Sequence, residues 1–156
     1  LASMITVEAG FEAAVAAALR PTDPAFLHYR DAAFQIARSA QVPGQNITWD
    51  MLLSFSCSSE DPISGGRHKV LGSRDLMIPP QTSTIASHLP KALGTALAVE
   101  QARRIGHGLP VPEDAIAICS FGDASANHAT AQTAFNAAAW TAYQNIQLPL
   151  VRPQLV

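Results

Sequence analysis

Ala115-Ile116-Ala117-Ile118-Cys119-Ser120-Phe121, then Gly122-Asp123-Ala124-Ser125, then an alanine-rich segment to Gln144, then Leu148-Pro149-Leu150-Val151 form one continuous passage. Its first seven residues are almost wholly apolar and show no polar alternation, which is how a strand covered on both faces of a parallel sheet is written. The alanine-rich segment repeats Ala131, Ala134, Phe135, Ala138 and Ala139 at helical spacing, and a second short apolar run follows. The passage therefore predicts strand, loop, helix, strand. Such connections are right-handed and present their loop at the carboxyl end of the strand, the edge where open α/β sheets bind ligands. Gly122 to Ser125 fall on that edge, where backbone N–H groups converge and an anion is favoured. Asp123 adds a carboxylate among those donors. That combination makes sense if a divalent cation lies between it and a diphosphate, and hard oxygen ligands suit magnesium. The simpler account is that Asp123 or Ser125 caps the helix.

At 156 residues the chain is long enough for one domain with a core and short for two. Charged residues make up only 14% against 48% hydrophobic, a thin polar coat that points to large contacts with other subunits or with further chain. The net charge of −2, with its basic residues scattered, argues against nucleic acid. No apolar run is long enough to span a membrane and no leader is apparent, so the expected compartment is the cytoplasm. Cys57 and Cys119, in no short motif, read as reduced thiols.

Upstream, Met4 to Leu19 reads as a helix stopped by Pro21. Asp23-Pro24 offers a cap and first-turn proline for a second helix carrying Phe26, Leu27, Tyr29, Ala33, Phe34 and Ile36. Tyr29-Arg30 falls near its start, where a forked guanidinium and a phenol could grip phosphate; an ordinary surface arginine is the plainer reading. Trp49 to Phe55 reads as a short core helix. From Ser56 to Thr82 glycines and prolines break every period, so this reads as a long loop, and Gly66-Arg67-His68-Lys69 reads as its solvated turn. Ser83 or Thr84 can cap a helix with Ile85, Leu89, Leu93 and Leu97 at four-residue spacing, kinked at Pro90. Small residues at Gly94, Ala96 and Ala98 would let another backbone approach, and Gly106 and Gly108 end the helix. His68 and His128 could reach the binding edge, whereas His28, His88 and His107 read as structural or exposed.

Three segments in this order carry a resemblance. They are His28-Tyr29-Arg30-Asp31-Ala32, the run from Ser83 through His88-Leu89-Pro90 to Ala98, and Phe121-Gly122-Asp123-Ala124-Ser125-Ala126-Asn127-His128 continuing to Ala138. The chain resembles the alpha subunit, or alpha-like half, of thiamine-diphosphate-dependent 2-oxo acid dehydrogenases, closer to the branched-chain than to the pyruvate type. The resemblance implies an α/β fold, a parallel sheet flanked by helices forming the diphosphate side of the thiamine-diphosphate-binding fold, here incomplete. It implies that Tyr29 and Arg30 hold the diphosphate. Asp123 would ligate magnesium, with Gly122 and the backbone of Ala124 and Ser125 beside it. Ser83 and Ile85 would face the aminopyrimidine and the bend of the cofactor, Ile85 as a hydrophobic wedge.

No residue of this chain is implied as catalytic, because in this family the glutamate that activates the pyrimidine comes from a beta subunit or beta-like half. The implied reaction is oxidative decarboxylation of a 2-oxo acid with transfer of the acyl group to a lipoyl-bearing acyltransferase, in a homo- or hetero-oligomer. The family has glycine at the position of Ala124, so that backbone must suit a side chain. The asparagine that completes the family's magnesium site has no counterpart in Arg152-Pro153-Gln154-Leu155-Val156. The chain is thus expected to be one partial domain, with residues 1–25 a helical lead-in, a C-terminal truncation, a tail at 152–156 outside the fold, and no activity alone. Two other readings stand beside this one. In a non-catalytic assembly module the Asp123 turn is only a cap, and in a transketolase-like thiamine enzyme the Tyr29-Arg30 and Ser83 segments would be out of place.

Overall fold

The structure, a computed structural model, describes residues 2–151 and 154–155, with side chains described from 10 to 150. Its elements run α1 (Ala2–Ala18), β1 (Ala25–Phe26), α2 (Ala32–Ser39), α3 (Ile47–Phe55), β2 (Leu71–Ser73), β3 (Ile78–Gln81), α4 (His88–Ile105), β4 (Ala117–Cys119), β5 (Phe121–Gly122), a 3₁₀ turn (Asp123–Asn127), α5 (Ala129–Tyr143), β6 (Leu150–Val151) and β7 (Gln154–Leu155). They form two compact units, one of Leu1–Pro21 with Tyr29–Ser83, the other of Thr22–His28 with Thr84–Val156.

The second unit is built on the expected strand. β4 is buried along its whole length and lies between β1 and β6, parallel to both, with Phe26 opposite Cys119 and Ala117 opposite Leu150. Helix α4 packs on all three strands and on α5. Phe26, Leu89, Ala92, Cys119, Phe121, Ala131 and Ala134 close into one core cluster. The parallel α/β architecture flanked by helices is as the sequence indicated. Of the five-residue tail, expected to leave the fold, Gln154–Leu155 pair in parallel with Phe121–Gly122. Residues 152, 153 and 156 lie outside the described residues. No helix among the described residues is long and apolar enough to cross a membrane.

β1 corrects the sequence reading of a helix from Asp23-Pro24. The buried Asp23 carboxylate accepts from Ile116 N–H at 3.0 Å, and the Pro24 carbonyl accepts from Ile118 N–H at 2.8 Å. Both residues therefore bind the strand alongside. The apolar run Ala25-Phe26-Leu27 is too short to show a period, so Asp-Pro decided the reading and decided it wrongly.

Helix α4 begins at His88, beyond the Thr84–Ser87 turn, so neither Ser83 nor Thr84 caps it. Pro90 then falls in the first turn, where a helix leaves N–H groups unused, and the expected kink has no cause. Leu89 and Leu93 are buried but Leu97 is only half-buried. A four-residue step overshoots the helical turn by about 40°, so the strict stripe drifts off the core while Ala92, Ala96 and Val99 take over. Gly94 faces open space, so no other backbone among the described residues of this unit makes the close approach expected there. Arg103 and Arg104 each bind Glu100 at 2.7 Å, and those bonds hold its carboxyl below the usual range despite burial. Gly106, at φ 66°, ends the helix in the left-handed conformation that favours glycine.

His88 is buried under β4, its Nε2 2.6 Å from the Ser120 carbonyl. Burial pushes its pKa down, with the Ser120 bond opposing and Lys91 adding to the fall. The folded ring stays neutral while an unfolded one protonates below its ordinary 6.5. Stability from this residue is therefore present above that value and lost as pH falls through the lower folded pKa. His88→Gln should flatten the acid side of a melting-temperature profile; an unchanged slope would contradict this.

In the first unit α1 packs on α2, and the Glu12 carboxylate accepts from Phe34 N–H at 3.3 Å. From α2, Gln35 donates to the Gly72 carbonyl and the wholly buried Arg38 to the Leu76 carbonyl, both at 3.1 Å, docking the antiparallel hairpin β2–β3. That hairpin corrects the reading of 56–82 as pure loop. Pro79 and Pro80 broke the pattern, yet proline is tolerated in a two-stranded ribbon whose N–H groups need not all be used. A second correction concerns α3, started by Asn46 accepting from Trp49 N–H at 3.4 Å. Trp49, Leu52 and Phe55 are 56%, 56% and 65% exposed, so they are not core.

Candidate functional site

The turn at the carboxyl end of β4 and β5 is tight. Phe121–Gly122 lead into the 3₁₀ turn, and α5 starts only at Ala129, with the His128 Nδ1 accepting from Thr130 N–H at 3.2 Å. His128 thus caps the helix, and the capping role weighed for Asp123 and Ser125 falls away. Asp123 is exposed. One of its oxygens accepts from Ala124 N–H at 2.7 Å; the other has no protein partner among the described residues. Ser125 is buried, and its carbonyl accepts from His128 N–H at 3.0 Å, which closes the turn. Ala124 is not among the residues with positive φ, so the side chain there is compatible with the backbone.

Ser120 organises the floor of this turn. Its N–H donates to the Phe26 carbonyl at 3.1 Å, its hydroxyl accepts from His28 N–H at 3.0 Å, and its carbonyl meets His88 as above. A Cβ placed on Gly122 would lie 3.8 Å from the Ser125 hydroxyl and 4.0 Å from His28 Nε2. The buried His28 ring therefore lies close against the loop, a placement the sequence reading missed. The signal was available only through β1: His28 follows that strand and so shares the carboxyl edge with the residues after β4.

Ile85 belongs to the same unit and is 52% exposed. Its successor Ala86 is buried at φ 60°, a conformation costing about 1–2 kcal/mol for a residue with a Cβ. Core contacts around Ala86 fix the turn that holds Ile85 out.

Tyr29, Arg30 and Ser83 belong to the first unit. Tyr29-Arg30 lie in the turn between β1 and α2, with the Ala32 N–H donating to the Arg30 carbonyl at 2.8 Å, and not inside a helix. The exposed Arg30 donates to the Tyr29 hydroxyl at 3.1 Å and its guanidinium carbon sits 5.3 Å from the Tyr29 ring centroid. Ser83 is exposed. Of the basic cluster, Arg67 and His68 are exposed as a solvated turn requires, but Lys69 is not. Its ammonium donates to the Tyr29 carbonyl at 2.5 Å and lies 5.3 Å from the Phe55 ring. Burial pushes the Lys69 pKa down, against the opposing pull of Asp31 and Tyr29.

The segment that delivers Lys69 is itself locked. Asp61 accepts from the N–H groups of Ile63, Ser64 and Gly66 and from the Ser64 hydroxyl. Desolvation raises the Asp61 pKa, but these bonds outweigh it and hold the carboxyl below its usual range.

A family model, the dehydrogenase E1 component, matches residues 2–148. No curated protein matches the chain.

Proposed function

The chain belongs to the dehydrogenase E1 component family, and from that premise we propose that it is the diphosphate-binding half of a thiamine-diphosphate-dependent 2-oxo acid dehydrogenase. The family depends on thiamine diphosphate and works in complexes with other subunits. One observation carries the finer reading: an exposed carboxylate, Asp123, stands in a tight turn at the carboxyl end of a buried parallel strand, one oxygen committed to its own loop and the other without a protein partner among the described residues.

The donor set fits the group. Magnesium keeps several waters and takes only one or two protein carboxylates when phosphates supply the rest. Among the described residues no cluster of three metal-binding side chains exists, so Asp123 would bind magnesium only in company with the diphosphate. Tyr29 and Arg30 offer a phenol and a forked cation for phosphate oxygens, and backbone N–H groups of Ala124 and Ser125 stand beside Asp123. Ser83 and the outward Ile85 would face the aminopyrimidine and the bend of the cofactor.

When bound, thiamine diphosphate supplies the chemistry of decarboxylation. The residues of this chain would hold and orient it, Asp123 and Arg30 neutralising its charge and Ile85 supporting its folded shape, while a beta half would supply the activating glutamate. The acyl group would pass to a lipoyl-bearing acyltransferase.

Arg30→Ala tests the diphosphate grip. It should weaken cofactor binding roughly 10- to 100-fold, as expected for loss of a charge-assisted contact, without lowering the melting temperature, because Arg30 is exposed. An unchanged dissociation constant would remove Arg30 from the site.

A further inference from the structure

We propose that Lys69 is a positioning residue for the Tyr29-Arg30 turn, fixing through the Tyr29 carbonyl the angle at which that turn presents its phenol and guanidinium. The inference rests on the diphosphate role given to those two residues above.

Three observations support it. The half-buried ammonium of Lys69 donates to the Tyr29 main chain at 2.5 Å, across 40 positions of sequence. It is bounded on other sides by the Phe55 ring and the charge of the wholly buried Asp31, which follows Arg30 directly. Both ends of the contact are also braced: Lys69 follows the Asp61-organised loop, and the turn continues into α2 through the Gln35 N–H bond to the Asp31 carbonyl at 3.4 Å.

A charge-assisted bond to a backbone carbonyl acts on peptide-plane orientation. Rotating that plane moves both side chains of the clamp, since Tyr29 and Arg30 are already coupled to each other by a hydrogen bond. Lys69 makes its contact with the main chain, so its effect on the ligand must pass through the turn. This predicts non-additivity.

The test is a double-mutant cycle read by calorimetric titration of thiamine diphosphate with magnesium into the assembly as purified from cells. Lys69→Met keeps the stem over Phe55 and removes the donor; it should raise the dissociation constant about tenfold. In an Arg30→Ala background the same change should have less than a twofold effect. Lys69→Arg, which keeps a charged donor, should restore binding to within about threefold of the parent. If Lys69→Met does not fold, Lys69→Gln takes its place, with a smaller weakening that again vanishes beside Arg30→Ala.

A loss equally large with and without Arg30 would overturn the inference and mark Lys69 as a general support of the fold or a direct ligand. Unchanged binding in the Lys69 variants, with Arg30→Ala impaired, would overturn the inference alone. If Arg30→Ala itself binds normally, the diphosphate reading fails and this inference falls with it.

Discussion

Asp123→Ala should abolish magnesium-dependent binding of thiamine diphosphate, raising the dissociation constant about 100-fold or more, while leaving the fold intact. The two halves of that expectation have separate causes. Asp123 is exposed and its protein bond is to the next residue's N–H, so its loss removes one local turn contact worth about 1 kcal/mol or less. On the proposed reading the same carboxylate would be the hard anionic ligand for a divalent cation, and without it the negative diphosphate would approach with no bridging charge. Asp123→Asn keeps the size and one acceptor; it should recover the turn contact but only a small part of the affinity. Titration with and without magnesium, beside thermal melting, checks both. A variant that binds normally but melts earlier would mean that Asp123 serves only to brace its own turn.

Gly66→Ala should destabilise the first unit by about 2–4 kcal/mol, the range for backbone strain combined with a clash. Gly66 sits at φ 74°, and a Cβ there would fall on the Cys57 and Ser58 carbonyl groups, closer than real contacts allow. Those atoms are backbone, and Cys57 is itself at φ 55°, so the segment has little room to yield. Its strain is tolerated because Asp61 ties Ile63, Ser64 and Gly66 together. Relaxation of this loop would also displace Lys69. Chemical denaturation should therefore show the loss of stability together with weaker cofactor binding, and a fully stable variant would contradict the account of the loop.

How much of this was legible in the sequence follows from how each residue is constrained. The strand could be read directly because one covered on both faces leaves a short apolar run, although the expected Ala115 to Phe121 proves to be Ala117–Cys119 followed, past Ser120, by the separate Phe121–Gly122; the turn and helix after it have their own punctuation. Ala25-Phe26 could not: two residues have no period, and the proof of strand lies in Ile118 and Ile116, about 90 positions away. The exposed Trp49, Leu52 and Phe55 defeat any rule that places aromatics inside, since apolar residues outside are common and composition does not announce them. At the site, Asp123 was visible because charge next to glycine at a strand end is chemically pointed. Lys69 was invisible, because a lysine in a glycine-rich run reads as solvated and only the fold brings it to Tyr29. His28 read as structural or exposed and is buried, but its place against the loop follows only once Ala25–Phe26 is known to be a strand.

The central claim is that Asp123 and the Tyr29-Arg30 turn serve one ligand. Calorimetric titration of thiamine diphosphate, run with and without magnesium and with and without the candidate beta half, tests it most directly. The account predicts binding that requires magnesium, strengthens with the beta half, is lost in Asp123→Ala and is weakened roughly 10- to 100-fold in Arg30→Ala. Binding indifferent to magnesium and to both substitutions, or no binding in any combination, would contradict it.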